Sequence, residues 1–175
     1  ISKKGFSRLT KYPMMEYQQQ KSFQISEDQY QLMHFCKRVN NALPFEGNNI
    51  RIYSDGYSMF KALLGAVMQA KHHIHLEYYI FENDALGRLL RDALVDKAKE
   101  GVEVRVLYDD VGCWKVSHSF YEEMREAGIE VRGFLKVRFP RFTSKVNYRN
   151  HRKLVIVDGC LGFIGGMNIA VRYLK

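Results

Sequence analysis

Six residues of this 175-residue chain have the types and spacing needed for chemistry on a phosphodiester. They follow the pattern H-x-K-x4-D-x6-G-G-x-N and are His151, Lys153, Asp158, Gly165, Gly166 and Asn168. A neutral imidazole is a nucleophile that titrates near neutral pH, and an ammonium beside it supplies positive charge for phosphoryl oxygens. The pair His151 and Lys153 therefore predicts attack on a phosphate ester.

A strand must position this pair. Lys153 to Val157 is an apolar, largely β-branched run that ends at the turn dipeptide Asp158-Gly159, which predicts a buried strand entering a hairpin. Side chains alternate faces along a strand, so His151 and Lys153 should point the same way. Asp158 lies an odd number of residues from His151, and we expect it to support the structure rather than contact phosphate.

The return strand of the hairpin, residues 161–164, leads to Gly165, Gly166 and Asn168. Glycine lets the backbone approach a ligand closely, and an Asn amide donates a hydrogen bond without adding charge. Together with Lys153, these three residues are the predicted phosphate-binding group.

The six-residue pattern resembles the HKD signature of the phospholipase D superfamily. Its flanks, R-N-H-R-K at 149–153 and I-G-G-M-N-I at 164–169, resemble bacterial cardiolipin synthases within that superfamily. Residues 70–81 and 101–112 are similar to the corresponding blocks of those enzymes, and the likeness covers residues 48–175. The resemblance implies phosphatidyl transfer between phospholipids, with phosphatidylglycerol as substrate, through a covalent phosphohistidine and without a metal or cofactor.

By this resemblance, His151 is the nucleophile or its acid/base counterpart, Lys153 and Asn168 hold the phosphate, and Asp158 completes the catalytic set as a support. Two positions depart from the family. Members often have Ser where this chain has Gly166, and the acidic partner of the histidine usually follows the Asn, where this chain has Val171 and Arg172.

A complete enzyme of this family has two such motifs, which meet across a pseudo-twofold axis, whereas this sequence has one. We therefore expect the chain, which starts at Ile1 and stops soon after Asn168, to be the first half of a longer catalytic region and to be inactive alone. Its expected partners are the missing second half or a second copy, the phospholipid substrate and an anionic membrane surface. The longer protein is expected at the bacterial inner membrane, and this piece is expected to be soluble because no apolar run approaches about 18 residues.

The chain is basic, with 27 Lys and Arg against 19 Asp and Glu and a net charge of +8. No acid occurs between Glu130 and Asp158. The basic residues of that interval are Arg132, Lys136, Arg138, Arg141, Lys145, Arg149, Arg152 and Lys153. Phe134, Phe139, Phe142 and Tyr148 alternate with them. Such a loop can meet an anionic membrane or a nucleic acid backbone, and its ordinary alternative is a solvated basic loop.

Two other functions remain open. A single-motif nuclease could complete its site by homodimerisation, with the basic loop following DNA or RNA. A non-catalytic module could bind phosphate at a lipid surface with half a site. The blocks that resemble cardiolipin synthases favour phosphatidyl transfer, and we do not expect nucleic acid as a partner.

Other polar residues allow a functional and a structural interpretation. His72, His73 and His75 lack the Cys or carboxylate companions of a metal site, so we predict no metal. Glu77 could accept a hydrogen bond from a histidine near the site, but an ion pair with a basic side chain is favoured. Asp109 and Asp110 end a strand where α/β folds build sites, although capping a helix or pairing with the basic loop explains them equally well.

The expected fold is α/β, a layered α/β/α phospholipase D-like domain with a largely parallel or mixed central sheet. Residues 1–47 should form an N-terminal tether and helix, and 48–175 the half-domain with the motif. A strand is expected at Ile50–Tyr53, and another at His73–Phe81 with Ile74, Leu76, Tyr78 and Ile80 on one face. Helices are expected after Ser26, Asp55, Asp84 and Ser117, the first with a capping box formed by Ser26 and Gln29. The apolar stripe of that first helix is expected to be core packing. Cys36, Cys113 and Cys160 fit a reducing compartment.

Overall fold

The computed structural model describes residues 26–40, 47–136 and 149–174. The chain divides into two units, residues 1–50 and 51–175. The boundary predicted from sequence, 47/48, stays a prediction. Much of the basic loop, including Arg138, Arg141 and Lys145, lies outside the described residues.

The first unit contains helix α1, Glu27–Asn40. Its N-terminus is a capping box, as the sequence predicts: the Gln29 backbone N–H donates to the Ser26 hydroxyl at 3.3 Å, and the Ser26 N–H donates to the Gln29 side-chain oxygen at 2.9 Å. The expectation that the apolar residues of this helix are core residues is wrong, because Leu32, Phe35 and Val39 are all exposed. A helical period shows that one face is apolar, but not what covers it.

The second unit is a five-stranded mixed sheet with three helices. In chain order its elements are α2 (Gly56–Gln69), β1 (His73–Tyr78), α3 (Ala85–Lys99), β2 (Glu103–Asp109), α4 (His118–Glu126), β3 (Glu130–Phe134), β4 (Lys153–Val157), β5 (Leu161–Ile164) and a 3-10 helix (Val171–Tyr173). The strand order is β3-β2-β1-β4-β5. Strands β1, β2 and β3 are parallel, and β4 and β5 run antiparallel to their neighbours. The predicted α/β fold with a mixed sheet is confirmed.

One face of the sheet is packed against the helices. Strand residues such as Ile74, Val104 and Val155 form one hydrophobic core with Leu63 of α2 and Leu90 of α3. The successive crossovers β1-α3-β2 and β2-α4-β3 move in one direction along the sheet, and right-handed crossovers then place their helices on the same face. The residues that alternate with the core residues, such as His75 and Arg105, are partly or fully exposed.

Two predicted details are wrong, one at residues 50–53, where the two units divide, and one in the second unit. Ile50–Tyr53 is not a strand, and Ile50 and Ile52 are 82% and 89% exposed, because β-branched residues favour extended backbone but do not supply a neighbouring strand. The alternation of β1 also stops at Tyr78. The backbone bends at Tyr79, and Phe81, which was expected on the polar face, is fully buried and forms a bridge with Ile169.

The predicted pair His151 and Lys153 lies at one end of the strands, where β1 finishes and β4 begins. Tyr78 pairs with Tyr108 of β2 on one side and with Lys153 of β4 on the other. Because β4 is antiparallel to β1, the first residues of β4 lie beside the last residues of β1. Among the residues described, no helix has the length and apolar character needed to span a membrane.

Candidate active site

His151 lies just before β4, at the edge of the sheet where β1 ends. Its side chain is exposed, and its imidazole packs against the ring of Tyr79, with the ring centroids 4.7 Å apart and the planes tilted by 55°. The bend that ends β1 at Tyr78 carries Tyr79 to this position. The aromatic contact limits the orientations open to an otherwise solvent-facing imidazole.

Lys153 is the first residue of β4, and it is buried, with 4% of its surface exposed. Its Nζ donates to the backbone carbonyl of His151 at 2.7 Å and lies 5.4 Å from the centroid of the Tyr79 ring. Burial lowers the pKa of this ammonium, and Tyr173 acts in the opposite direction. His151 and Lys153 therefore meet at one aromatic ring, as expected for side chains that point the same way.

Asn168 is buried, four residues beyond the end of β5, and its amide has two partners. Its Oδ1 accepts from the backbone N–H of Ile80 at 3.1 Å, and its Nδ2 donates to the hydroxyl of Tyr173 at 2.8 Å. The second N–H of the same nitrogen is geometrically distinct, so donation to a phosphoryl oxygen is compatible with both contacts. The predicted role of Asn168 in binding phosphate stays a prediction.

Gly165 and Gly166 are exposed, and a Cβ built on either would meet no atom within 4 Å. The N–H of Gly165 donates to the carbonyl of Lys153 at 3.3 Å, which ties the glycine pair to the start of β4. The surrounding protein atoms leave room for a side chain at both positions. Close approach of a ligand, the role predicted for them, is compatible with this open space and stays a prediction.

Asp158 lies in the turn at the far end of β4 from His151, where its φ is +51°. A rise of about 3.3 Å per strand residue separates the two residues by roughly 20 Å. Its carboxylate accepts from the backbone N–H groups of His73 at 3.0 Å, Lys71 at 2.9 Å and His72 at 2.8 Å, and these bonds lower its pKa to about 2. These contacts support a structural role, in which Asp158 fastens the hairpin to the start of β1.

Asp109 connects the end of β2 to the segment that precedes His151. It is fully buried and accepts from the N–H groups of Val111 and Gly112 through one oxygen and from the N–H of Asn150 through the other. Its Oδ1 also lies 3.5 Å from a guanidinium nitrogen of Arg149. Of the two interpretations from sequence, the structure supports pairing with the basic segment for this residue.

Glu77 of β1 accepts a hydrogen bond from the side-chain amide of Asn150, and its Oε1 lies 3.7 Å from a guanidinium nitrogen of Arg152. The favoured ion pair is thus present. Because Arg152 is exposed and water screens such pairs, the Asn150 contact is the better anchor for the chain next to His151.

The three clustered histidines lie away from His151. His73 and His75 project from β1 with their ring centroids 4.9 Å apart, and His75 lies 3.5 Å from Glu103. Within residues 26–40, 47–136 and 149–174, no group of three His, Cys, Asp or Glu side chains is arranged to hold a metal ion.

Sequence reasoning missed three residues that shape the site. Tyr79 contacts both members of the His-Lys pair, Tyr173 binds the amide of Asn168, and Asn150 links Glu77 to Asp109. For Asn150 the sequence offered one indication, which is that it directly precedes His151. The others depend on which strands are neighbours, which the spacing of residues does not reveal.

The chain is similar in sequence to known proteins. Residues 63–175 match the family described as cardiolipin synthase, PLD-like domain. The cardiolipin synthase of Alkalihalophilus pseudofirmus is 47% identical over 145 residues, which cover 83% of this chain and 28% of that protein. The major cardiolipin synthase ClsA of Bacillus subtilis is 43% identical over 174 residues, which cover 97% of this chain and 36% of that protein.

Among solved structures, the phospholipase D family member Nuc from Salmonella typhimurium aligns with a TM-score of 0.48 and 24% identity, over 65% of this chain and 66% of that one. The present chain spans about a third of the length of the two relatives named above. From the family match and these identities, the chain belongs to the cardiolipin synthases with a phospholipase D-like domain.

Proposed function

We propose that this chain supplies one half of the active site of a phosphatidyltransferase that makes cardiolipin from phosphatidylglycerol. His151 is the proposed nucleophile, Lys153 and Asn168 the phosphate-binding side chains, and Gly165 and Gly166 the backbone beside the phosphate. The longer protein that contains this chain is proposed to work at the inner membrane of a bacterium.

The observation that supports this proposal best is the meeting of His151 and Lys153 at the ring of Tyr79. The imidazole is exposed and can reach a substrate. The ammonium is buried, so its attraction for a phosphoryl oxygen is screened less by water than that of a surface lysine. An oriented nucleophile beside a desolvated positive charge suits the attack on a phosphodiester.

The proposed reaction has two displacements at phosphorus. In the first, a ring nitrogen of His151 bonds to the phosphorus of phosphatidylglycerol, and the bond to the headgroup oxygen breaks. The headgroup leaves as glycerol after taking a proton from a general acid. In the second, the hydroxyl of another phosphatidylglycerol loses a proton and its oxygen displaces the imidazole. Two phosphatidylglycerols thus give one cardiolipin and one glycerol.

The general acid of this scheme is proposed to come from a second HKD half or from a second copy of the chain. When two histidines face one phosphate, one can act as the nucleophile while the other acts as the general acid and base. On this proposal residues 1–175 alone are inactive, and no metal or cofactor takes part.

Turnover of phosphatidylglycerol by the full product of the gene tests the proposal. Cardiolipin and glycerol should appear in equal amounts, and His151→Ala should reduce the rate by at least about a thousandfold, as expected when a nucleophile is removed. His72→Ala is the matched control, because His72 is another exposed histidine but lies at the opposite edge of the sheet. Unchanged turnover in His151→Ala would refute the assignment.

A parallel assay separates the proposal from a nuclease. Purified chain 1–175 should not cleave single-stranded DNA, and His151→Ala should make no difference to that result. Stoichiometric cleavage of DNA that depends on His151 would favour a homodimeric nuclease instead. Binding of lipid without turnover by the full gene product would favour a non-catalytic lipid-surface module.

A further inference from the structure

The only tryptophan of the chain is unusually exposed. Trp114 follows β2 in the segment 110–116, and 77% of its surface is accessible. Large aromatic side chains normally bury most of their surface, so an exposed tryptophan beside a candidate active site is informative.

Trp114 lines a cavity that is also lined by Tyr79, the residue whose ring contacts His151. The segment that carries it packs directly on Tyr79, because a Cβ at Gly112 would lie 2.1 Å from the carbonyl oxygen of Tyr79 and 3.0 Å from its ring. Trp114, Tyr79 and Gly112 border a cavity of about 450 Å³, together with Lys115 and Arg172. Trp114 and the ring that contacts His151 therefore belong to the same cavity lining.

The residue that follows Trp114 carries a positive charge that can meet an anionic surface. From Val111 to Tyr121 the chain has no acidic residue, and the exposed Lys115 follows the tryptophan directly. Glu82 and Asp84 line the same cavity, and their two negative charges are balanced by the positive charges of Arg172 and Lys115. Glu82 pairs with Arg172 at 2.5 Å, and Asp84 accepts from the N–H groups of Gly87 at 2.9 Å and Val171 at 2.6 Å.

We propose that Trp114 and Lys115 dock this edge of the domain on an anionic phospholipid surface. The indole lies at the level of the headgroups, where tryptophan is favoured, and the ammonium meets the lipid phosphates. Because Tyr79 lines the same cavity as Trp114 and contacts His151, docking through Trp114 holds the proposed nucleophile close to its proposed substrate. The choice of lipid as the partner rests on the proposed function. The exposure of Trp114 and Lys115 is a structural observation that does not depend on it.

Because Trp114 is the only tryptophan, its fluorescence reports this contact without labelling. Chain 1–175 should be mixed with vesicles of phosphatidylglycerol and phosphatidylcholine, and with vesicles of phosphatidylcholine alone. We expect a blue shift of the emission, and quenching by brominated acyl chains, with the anionic vesicles. An emission that stays at its value in water while the chain sediments with the vesicles would overturn the proposal, as would a failure to sediment.

Variants make the test specific. Trp114→Ala should weaken sedimentation with anionic vesicles by about tenfold or more, because a large apolar side chain no longer enters the interface. Leu89→Ala is the matched control, because it removes an apolar side chain that is 50% exposed on α3, and it should leave sedimentation unchanged. Equal losses in both variants would contradict the proposal.

The outcome is independent of catalysis. His151→Ala should retain the blue shift, so a failure of phosphatidyl transfer and a failure of docking are distinguishable. A shift of Trp114 emission with single-stranded DNA but not with anionic vesicles would overturn the docking proposal and identify a nucleic acid as the partner of this surface.

Discussion

The ring of Tyr79 lies 4.7 Å from the imidazole of His151, across the boundary between the end of β1 and the start of β4. The same ring is 5.4 Å from the ammonium of Lys153. Tyr79 therefore contacts both side chains of the predicted His-Lys pair.

Tyr79→Leu should loosen His151. The imidazole protons should lose the shift caused by the aromatic ring, and turnover by the full gene product should fall by about tenfold because the nucleophile is less well oriented. Tyr79→Phe keeps the ring and should behave like the wild type. Proton NMR of chain 1–175 checks the first effect, with the exposed Tyr57→Leu as control. Unchanged His151 resonances in Tyr79→Leu would show that the contact does not persist in solution.

Gly112→Ala should destabilise the domain and disturb the site together. Its Cβ would lie 2.1 Å from the backbone oxygen of Tyr79, so either the 110–116 segment or Tyr79 must move. Overpacking of this kind costs about 1–3 kcal/mol in the free energy of unfolding, which urea titration measures.

Gly65→Ala is the control for this substitution. Gly65 lies within α2 with no atom within 4 Å of an added Cβ, so alanine should stabilise the domain by about 0.5–1 kcal/mol through helix propensity. The opposite ranking of the two variants would mean that the packing of Gly112 on Tyr79 is not maintained.

Asp158 should make stability depend on pH in the acid range. Hydrogen bonds from His73, Lys71 and His72 hold its pKa at about 2 in the folded protein, against an ordinary value of 3.8. The unfolded chain therefore takes up the proton first, and the stabilisation is present above about pH 4 and lost as the pH falls toward 2.

Urea midpoints of the wild type and Asp158→Asn should accordingly converge between pH 4 and pH 2. Asp96→Asn, which changes an exposed acid of α3, is the control and should leave the profile of the wild type intact. A constant difference between wild type and Asp158→Asn across this range would exclude the linkage.

Lys153→Met should abolish phosphate binding without lowering the free energy of unfolding. Burial lowers the pKa of Lys153, which means that the charged form is disfavoured in the folded state. Methionine avoids this desolvation, so its free energy of unfolding at pH 7 should equal or exceed that of the wild type, while binding of inorganic phosphate is lost.

The stability difference should also shrink as the pH rises through the lowered pKa toward 10.5, because the wild type then folds with a neutral amine. Lys61→Met, on the exposed side of α2, should change stability by less than about 0.5 kcal/mol at any pH. A strong destabilisation in Lys153→Met would indicate that the ammonium is mainly a structural hydrogen-bond donor to His151.

The sequence predicted the parts of the fold that depend on local signals. Asp55 and Asp84 cap α2 and α3 by accepting from Ser58 and Gly87, and the turn at Asp158-Gly159 joins β4 to β5. These features follow from residue types at short spacing. The two-residue alternation of side chains along a strand also predicted that His151 and Lys153 point to the same side.

Contacts between distant segments could not be predicted in this way. The apolar residues of 50–53 have the composition of a strand but no partner, and the bend at Tyr79 interrupts a regular alternation. Tyr79 became part of the site only because β1 and β4 are neighbours in the sheet. The same adjacency brings Asp158 to the backbone of residues 71–73, which no spacing within the motif reveals.

Detection of a covalent lipid phosphate on His151 tests the central claim most directly. The full gene product should be incubated with phosphatidylglycerol, quenched in denaturant near pH 8, which preserves both the P–N bond and the acyl esters, and digested, and the peptide that contains His151 analysed by mass spectrometry. We predict an acid-labile phosphatidyl adduct on His151 that disappears in His151→Ala and persists in His72→Ala. Formation of cardiolipin with no adduct on His151, or at the wild-type rate in His151→Ala, would contradict the assignment of this residue as the nucleophile.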